Sequence, residues 1–477
     1  MRHGPESRIA WGEGLHPREG FPSTLDSMTD VAPGGLRWSL PVFRSLDGYR
    51  WTWLPRDVTA GLLIVAIAIP LSMGMAEVAG VPPIAGLYSC VLPLIAYALF
   101  GSSPQLVVAL DASTAAMVAA AVAPLAAGDP IRYGALAGLV AIIVGLLLCA
   151  AGWLRLGVVA RLLTRPVLLG FQAGLALVVV FSQLPRLLGL EVEPDGSLQR
   201  AAEIVTRVDE WSVETTLIGA AALLVIAILA ATEPRVPAAL FVIVTTAITV
   251  RLGGQAFADV EVVGSLPAGL PPIGIPDFGV GDVAALLPFS VAIAILAAAD
   301  TIVSSKAFAL RNGYEVDANR DLLGLGSANL ASGISGGITA SASAARTAVV
   351  EMVGGRSQLA SVTAAVAMLG VLLFLTGPLE SLPTTALAAV VIGAVVRLIE
   401  VRSLRELWNT RRFDFVVAIS TTVGAVAIGL LVGILIGVAL SLLPGARAAW
   451  RRRVGGSDGP PPSVPIGLHG TGGTLRP

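Results

Sequence analysis

Apolar stretches of about the length of one bilayer crossing follow one another from residue 57 to residue 445, with only short polar breaks. A helix needs roughly 20 apolar residues to cross a hydrocarbon core of ~30 Å. Only helices and closed barrels satisfy every backbone polar group there. The stretches lie at 57–76, 83–100, 110–127, 131–153, 157–188, 214–232, 236–253, 284–309, 320–334, 343–353, 358–376, 383–399, 413–428 and 430–445. This predicts an all-α polytopic membrane protein with fourteen transmembrane segments. Charged residues make up 13% of the 477 and hydrophobic residues 55%, about half the charge that a water-facing domain carries. A soluble enzyme is thereby excluded, and the lipid bilayer is the first partner. The formal net charge of −1 lacks the positive excess that a phosphate backbone demands, so no nucleic acid is expected.

Residues 1–50 read as a polar cytoplasmic tail ending at the interface anchors Trp51 and Trp53, and 447–477 as a disordered cytoplasmic tail. Between them, 51–253 hold segments one to seven, 254–283 an external linker, and 284–446 segments eight to fourteen. Segments 110–127, 320–334 and 343–353 are too short for a full span. Two of them, the third and the tenth, occupy matching places in the halves, each after a loosely extended stretch (Pro104–Ala109 and Gly337–Ser341). That pattern marks broken helices around a midplane site. Asp111-Ala112-Ser113-Thr114-Ala115 also lies over Ala344-Ala345-Arg346-Thr347-Ala348. Seven segments per half force opposite orientations, hence a 7+7 inverted repeat. With both termini in the cytoplasm, all but six of the 31 basic residues fall inside: Arg132, Arg186, Arg200, Arg207 and Arg251 lie outside, and Arg346 at membrane depth. The positive-inside rule is thus met.

A charge deep in a bilayer needs a partner or water, and few are found here: Glu77, Asp111, Asp300, Arg346 and, a little further on, Glu351. Arg346 opens the tenth segment, in Ser341-Ala342-Ser343-Ala344-Ala345-Arg346-Thr347. A helix N-terminus offers unpaired N–H groups and about half a positive charge. A guanidinium and small hydroxyl residues added there make an anion cradle from Arg346, Ser343, Ala344 and Ala345. The alternative is a structural arginine paired with Asp300 or Glu351. Asp300 and Ser304 share one helical face, where they suit Na⁺ or a transported proton; the alternative is charge compensation for Arg346. Asp111, with Ser113 two residues on, opens the third segment and either faces the same site or caps its helix. Glu77 reads as a wetted residue near an outer end. Cys90 and Cys149 lie in apolar runs as small buried hydrophobes, and His3, His16 and His469 are confined to the tails. No nucleotide-binding loop, catalytic set or metal cluster is legible, so no enzyme and no cofactor beyond a coupling Na⁺ or H⁺ is expected.

At these residues the sequence resembles the SulP (sulfate permease) family. The resemblance rests on Pro83-Ile84-Ala85-Gly86-Leu87-Tyr88-Ser89-Cys90 running on to Gly101-Ser102-Ser103, on the upstream Ile69–Ala76, on Ala307–Tyr314 with Asp317–Arg320, and on Ser341–Val349. It covers about 55–445. It implies a core and a gate domain, commonly a homodimer, moving like an elevator in the plasma (inner) membrane. The family carries sulfate, bicarbonate, chloride or dicarboxylates. Carried over, Arg346, Ser343 and the backbone at Ala344 and Ala345 bind the anion, and Asp300, beside Ser304, is the coupling carboxylate. Four departures stand out: with only 447–477 after the last segment no cytoplasmic STAS domain is expected, Pro104 replaces a basic residue, Ala109-Leu110 replaces a Gly-Pro pair, and Ala345 replaces a hydroxyl residue. The last removes a donor to a tetrahedral oxyanion. The expectation is a secondary transporter of a small inorganic anion, with sulfate first, then bicarbonate or a dicarboxylate. A passive anion channel or a nucleobase permease is the other class.

Overall fold

The computed structural model describes residues 49–156, 164–190, 197–232, 237–257 and 260–441. The two expected tails lie outside these residues except for Tyr49 and Arg50, as do 157–163 of the fifth expected segment. The first half forms α1 (Leu54–Val78), α2 (Pro83–Tyr88), α3 (Leu92–Phe100), strand β1 (Val108–Ala109), α4 (Ala112–Ala126), α5 (Pro130–Trp153), α6 (Arg165–Leu188), α7 (Ser197–Thr206), α8 (Val213–Thr232) and α9 (Ala238–Gly253). The second half forms α10 (Val280–Asn312), α11 (Ala318–Ile334), β2 (Ser341–Ala342), α12 (Ala344–Val353), α13 (Leu359–Phe374), α14 (Thr376–Glu380), α15 (Thr384–Val395), α16 (Val401–Thr410), α17 (Arg412–Ala427) and α18 (Leu430–Ser441). With α2 and α3 taken as one crossing and α7, α14 and α16 set aside, seven segments stand in each half. Among the described residues, seven helical stretches are long and apolar enough to cross a membrane, while Ala112–Ala126, Ala238–Gly253, Leu359–Phe374 and Leu430–Ser441 are apolar but shorter.

The helix ends follow local chemistry. The Asp129 carboxylate caps α5, accepting from Ile131 N (2.8 Å) and Arg132 N (3.2 Å), and Asp317 does the same for α11. Both devices satisfy N–H groups that a first turn leaves without acceptors. The stretch 83–100 reads as one apolar run but is broken. Pro93 lacks an N–H, and its ring would strike the carbonyl four residues back, so the chain stops at Tyr88 and restarts at Leu92.

The two halves interlock. Helix α11 packs on α5 and α3, α1 on α13, α10 on α5, and α13 on α3. The pairs α5–α11 and α3–α13 exchange under the repeat relation, as do α5–α10 and α1–α13. A second set joins α6 to α17 and α15, and α15 to α8. The fold is therefore a core of α1–α5 with α10–α13 beside a gate of α6–α9 with α15–α18. Within the core, glycines let α5 and α11 approach closely. A Cβ on Gly145 would lie 2.9 Å from the Gly326 carbonyl, and one on Gly326 would lie 2.7 Å from Cys149 N. Small residues are what allow backbones to meet without a lipid-filled gap.

Candidate anion site

Strands β1 and β2 pair antiparallel, with Val108 opposite Ala342 and Ala109 opposite Ser341. Each leads directly into a short helix, β1 into α4 and β2 into α12. The pairing brings the N-termini of two half-helices from opposite repeats to one place, as the shortness of the third and tenth segments predicts. Ser343 N also donates to Val107 O at 2.8 Å, extending the ladder to the first residue of the cradle.

Ser343 is the N-cap of α12; its hydroxyl accepts from Arg346 N at 3.4 Å. Thr347 N is taken by Ser343 O. The N–H groups of Ala344 and Ala345 begin the helix and have no acceptor within it, and both residues are exposed. The Arg346 side chain is buried, with 1% of the residue exposed. One nitrogen, Nη2, donates to Ser72 Oγ at 2.9 Å. The other two, Nε and Nη1, donate to no protein atom among the described residues. Burying a guanidinium with two unsatisfied nitrogens is costly, so the arrangement makes sense as a site that an acceptor enters.

The alternative ion pairs for Arg346 are not formed. Glu351 instead accepts from Asn312 Nδ2 at 2.8 Å and pairs with Arg311 at 3.4 Å. Asp300 is half-buried and, among the described residues, makes no hydrogen bond or ion pair. It sits one helical turn before the half-buried Ser304 on α10, which packs against both α4 and β2. Asp111 takes the capping place: it is the N-cap of α4, accepting from Ser113 N at 3.1 Å and Ser113 Oγ at 2.5 Å. Arg346, Ser343, Ala344, Ala345, Asp111 and Ser113 thus gather at the two ends of the short ladder, with Asp300 on a helix packed against it.

Glu77 is not simply wetted. Its side chain is 7% exposed and pairs with Arg186 at 2.9 Å, beside a cavity of about 260 Å³ that Glu261 and Thr384 also line.

Three polar groups carry weight that the residue-by-residue reading does not assign. Ser72 is the partner of Arg346. Asp57 is fully buried at the start of α1, accepting from Arg356 N and Ser357 Oγ, both at 2.7 Å. Asp321 is fully buried on α11. Its Oδ1 accepts from Tyr97 OH (2.8 Å), Ser102 N (2.9 Å), Ser102 Oγ (2.9 Å) and Ser103 N (3.2 Å), and Oδ2 accepts from Ser305 Oγ. The signals were present but weak: both carboxylates stand at polar segment ends, and Ser72 is one hydroxyl among many.

The chain resembles known proteins along most of its length. Residues 54–421 match the sulfate permease family. A Mycobacterium tuberculosis protein named "Probable sulfate transporter" is 39% identical over 395 residues, 83% of this chain and 70% of the relative. The chloroplastic sulfate transporter 4.1 of Arabidopsis thaliana is 31% identical over 410 residues, 84% of this chain and 60% of the relative. Among solved structures, SLC26A9 superposes with a TM-score of 0.80 at 20% identity, covering 86% of this chain and 68% of the other. The transmembrane domain of a cyanobacterial bicarbonate transporter, BicA, does so with 0.72 at 23%, covering 83% and 98%. These two likenesses concern the fold, the inverted repeat with its crossed half-helices. The sequence match over most of the chain, with a buried arginine at the meeting of two helix N-termini, makes this protein a member of the sulfate permease family, a multi-pass membrane transporter of anions.

Proposed function

We propose that the chain carries sulfate across the cell membrane, with its termini in the cytoplasm, by a sliding motion of the core against the gate. The observation that carries this reading is the buried Arg346, whose Nε and Nη1 have no acceptor among the described residues. Two N–H groups of α12 stand beside it. Together they offer several donors to one small oxyanion, and the sulfate-transporter names of the relatives support the choice. Coupling follows from charge. Arg346 balances one of Asp111 and Asp300, and the two helix N-termini add about half a positive charge each. A dianion therefore finds the site short of positive charge unless a cation arrives with it. Asp300, without a partner among the described residues and one turn from Ser304, is where H⁺ or Na⁺ would sit. The family resemblance adds a homodimer to this reading.

The test is radiolabelled sulfate uptake into proteoliposomes under imposed H⁺ or Na⁺ gradients, with bicarbonate in parallel. Sulfate uptake driven by one gradient is the expected result. Each charge-assisted hydrogen bond is worth about 1.5–3 kcal/mol, so Arg346→Ala should lower uptake at low sulfate at least ~100-fold. Normal transport by Arg346→Ala would sink the reading. Na⁺-driven bicarbonate uptake without sulfate uptake would replace the substrate and fit the missing hydroxyl at Ala345.

A further inference from the structure

We infer that Ser72 is a positioning residue for the anion site, and that Cys90 holds Ser72 in place. The inference rests on the reading of Arg346 as the anion-binding group. The guanidinium is a rigid, planar fork of donors on a long, freely rotating stem. Among the described residues its one hydrogen-bond acceptor outside its own helix is Ser72 Oγ, at 2.9 Å. Ser72 is fully buried on α1, a helix that packs against α12. Its Oγ lies 3.1 Å from the Sγ of Cys90, a free and buried thiol in the break between α2 and α3.

The direction of these bonds matters. Arginine cannot accept, so Ser72 Oγ accepts from Arg346. The hydroxyl proton then goes either to the sulfur or toward the anion, and in the latter case the thiol proton goes to Oγ. Every version fixes the guanidinium plane with a neutral acceptor. A carboxylate here would orient the fork equally well but would cancel its charge and occupy donors that the anion needs. A hydroxyl backed by a thiol adds no negative charge of its own and leaves Nε and Nη1 to the ligand.

The same break also positions the backbone of the site. Ser89, next to Cys90, accepts from Ile338 N at 2.9 Å, on the extended stretch that leads into β2 and α12. The interruption of the second crossing thus anchors both the side chain and the strand of the anion site. Continuous helix over 83–100 would carry Ser89 and Cys90 with different geometry.

The test is sulfate uptake kinetics in proteoliposomes for wild type, Ser72→Ala, Cys90→Ala, Cys90→Ser and Arg346→Ala, each checked for a monodisperse size-exclusion profile. Loss of orientation at constant charge should appear in KM. Ser72→Ala should raise KM about tenfold, with Vmax within about twofold of wild type. Cys90→Ala should raise KM by less, and Cys90→Ser, which restores a hydrogen-bonding group, should return it to the wild-type value. Ser72→Ala with an unchanged KM, or with a fall in Vmax alone, overturns the inference while a dead Arg346→Ala keeps the anion site. A normal Arg346→Ala overturns the reading of the site itself, and the inference with it.

Discussion

Arg346 and Asp321 are both fully buried charges, yet only one is conspicuous in the sequence. Arg346 stands inside an apolar run, where a charge has no cheap explanation. Asp321 follows Asp317 and Arg320 at the polar start of a segment, where a carboxylate looks wetted. Its burial depends on Tyr97, Ser102, Ser103 and Ser305, up to 224 residues away in the chain, and such convergence has no local signature. The physical roles differ as well. Arg346 keeps nitrogens without acceptors among the described residues, whereas Asp321 is saturated by donors and holds α3, α10 and α11 together. Asp321→Ala should therefore act on stability. It orphans the buried Tyr97 hydroxyl and Ser103 N–H group, at about 1–3 kcal/mol each, and the half-buried Ser102 N–H group at less. The expected outcome is a loss of ~3 kcal/mol or more, read as a lower melting temperature in detergent, with Asp321→Asn milder because it keeps one acceptor. Unchanged melting of Asp321→Ala would contradict this.

At the scale of elements, the half-helices were legible and the break in the second crossing was not. Segments 110–127 and 343–353 follow extended stretches at matching places in the two halves, so their geometry can be read from that pairing; α4 and α12 fall at Ala112–Ala126 and Ala344–Val353. The run 83–100 is as long as 110–127, but it has no matching place beside an extended stretch, so nothing in the pattern marks its interruption. Pro93 was the available sign, but proline is common in membrane helices, where neighbours satisfy the freed carbonyl. Helix α16 was equally hidden: its arginines read as an inner loop, yet Val401–Thr410 is helical, with Trp408 edge-on to Phe415 at 5.0 Å. The α5–α11 seam carries the element-scale prediction. Gly326→Ala puts a methyl 2.5 Å from Cys149 Sγ and 2.7 Å from Cys149 N. Backbone must move, at about 1–3 kcal/mol. Melting in detergent should fall accordingly, and Gly370→Ala, which meets nothing within 4 Å, should leave it unchanged; equal effects at the two sites would show that the seam is not close-packed.

At the scale of the whole molecule, the core is tied across its repeats by polar bonds. Gln358 Nε2 donates to Ser103 O and Leu106 O at 2.7 and 2.9 Å, and Gln105 Nε2 donates to Gly355 O at 2.7 Å. Together with the Asp57 and Asp321 bonds they link α1, α3, α11 and α13 and favour motion of the core as one body. Between core and gate the contacts are largely apolar packing of α1 on α15, α9 and α6, and of α4 on α6. Such surfaces can slide. The Glu77–Arg186 pair crosses that boundary, from α1 to α6, at 2.9 Å. If the core slides during transport, the pair must break in each cycle and so favours the arrangement seen here. Arg186 is 37% exposed, which limits the pair to about 1 kcal/mol, or roughly fivefold in population. Glu77→Gln and Arg186→Gln should each change sulfate Vmax by up to about fivefold while KM stays within about twofold. The exchange Glu77→Arg with Arg186→Glu should return Vmax toward the wild-type value. A core fixed to its gate predicts something else: single variants that lower the melting temperature, leave Vmax alone, and gain no kinetic rescue from the exchange.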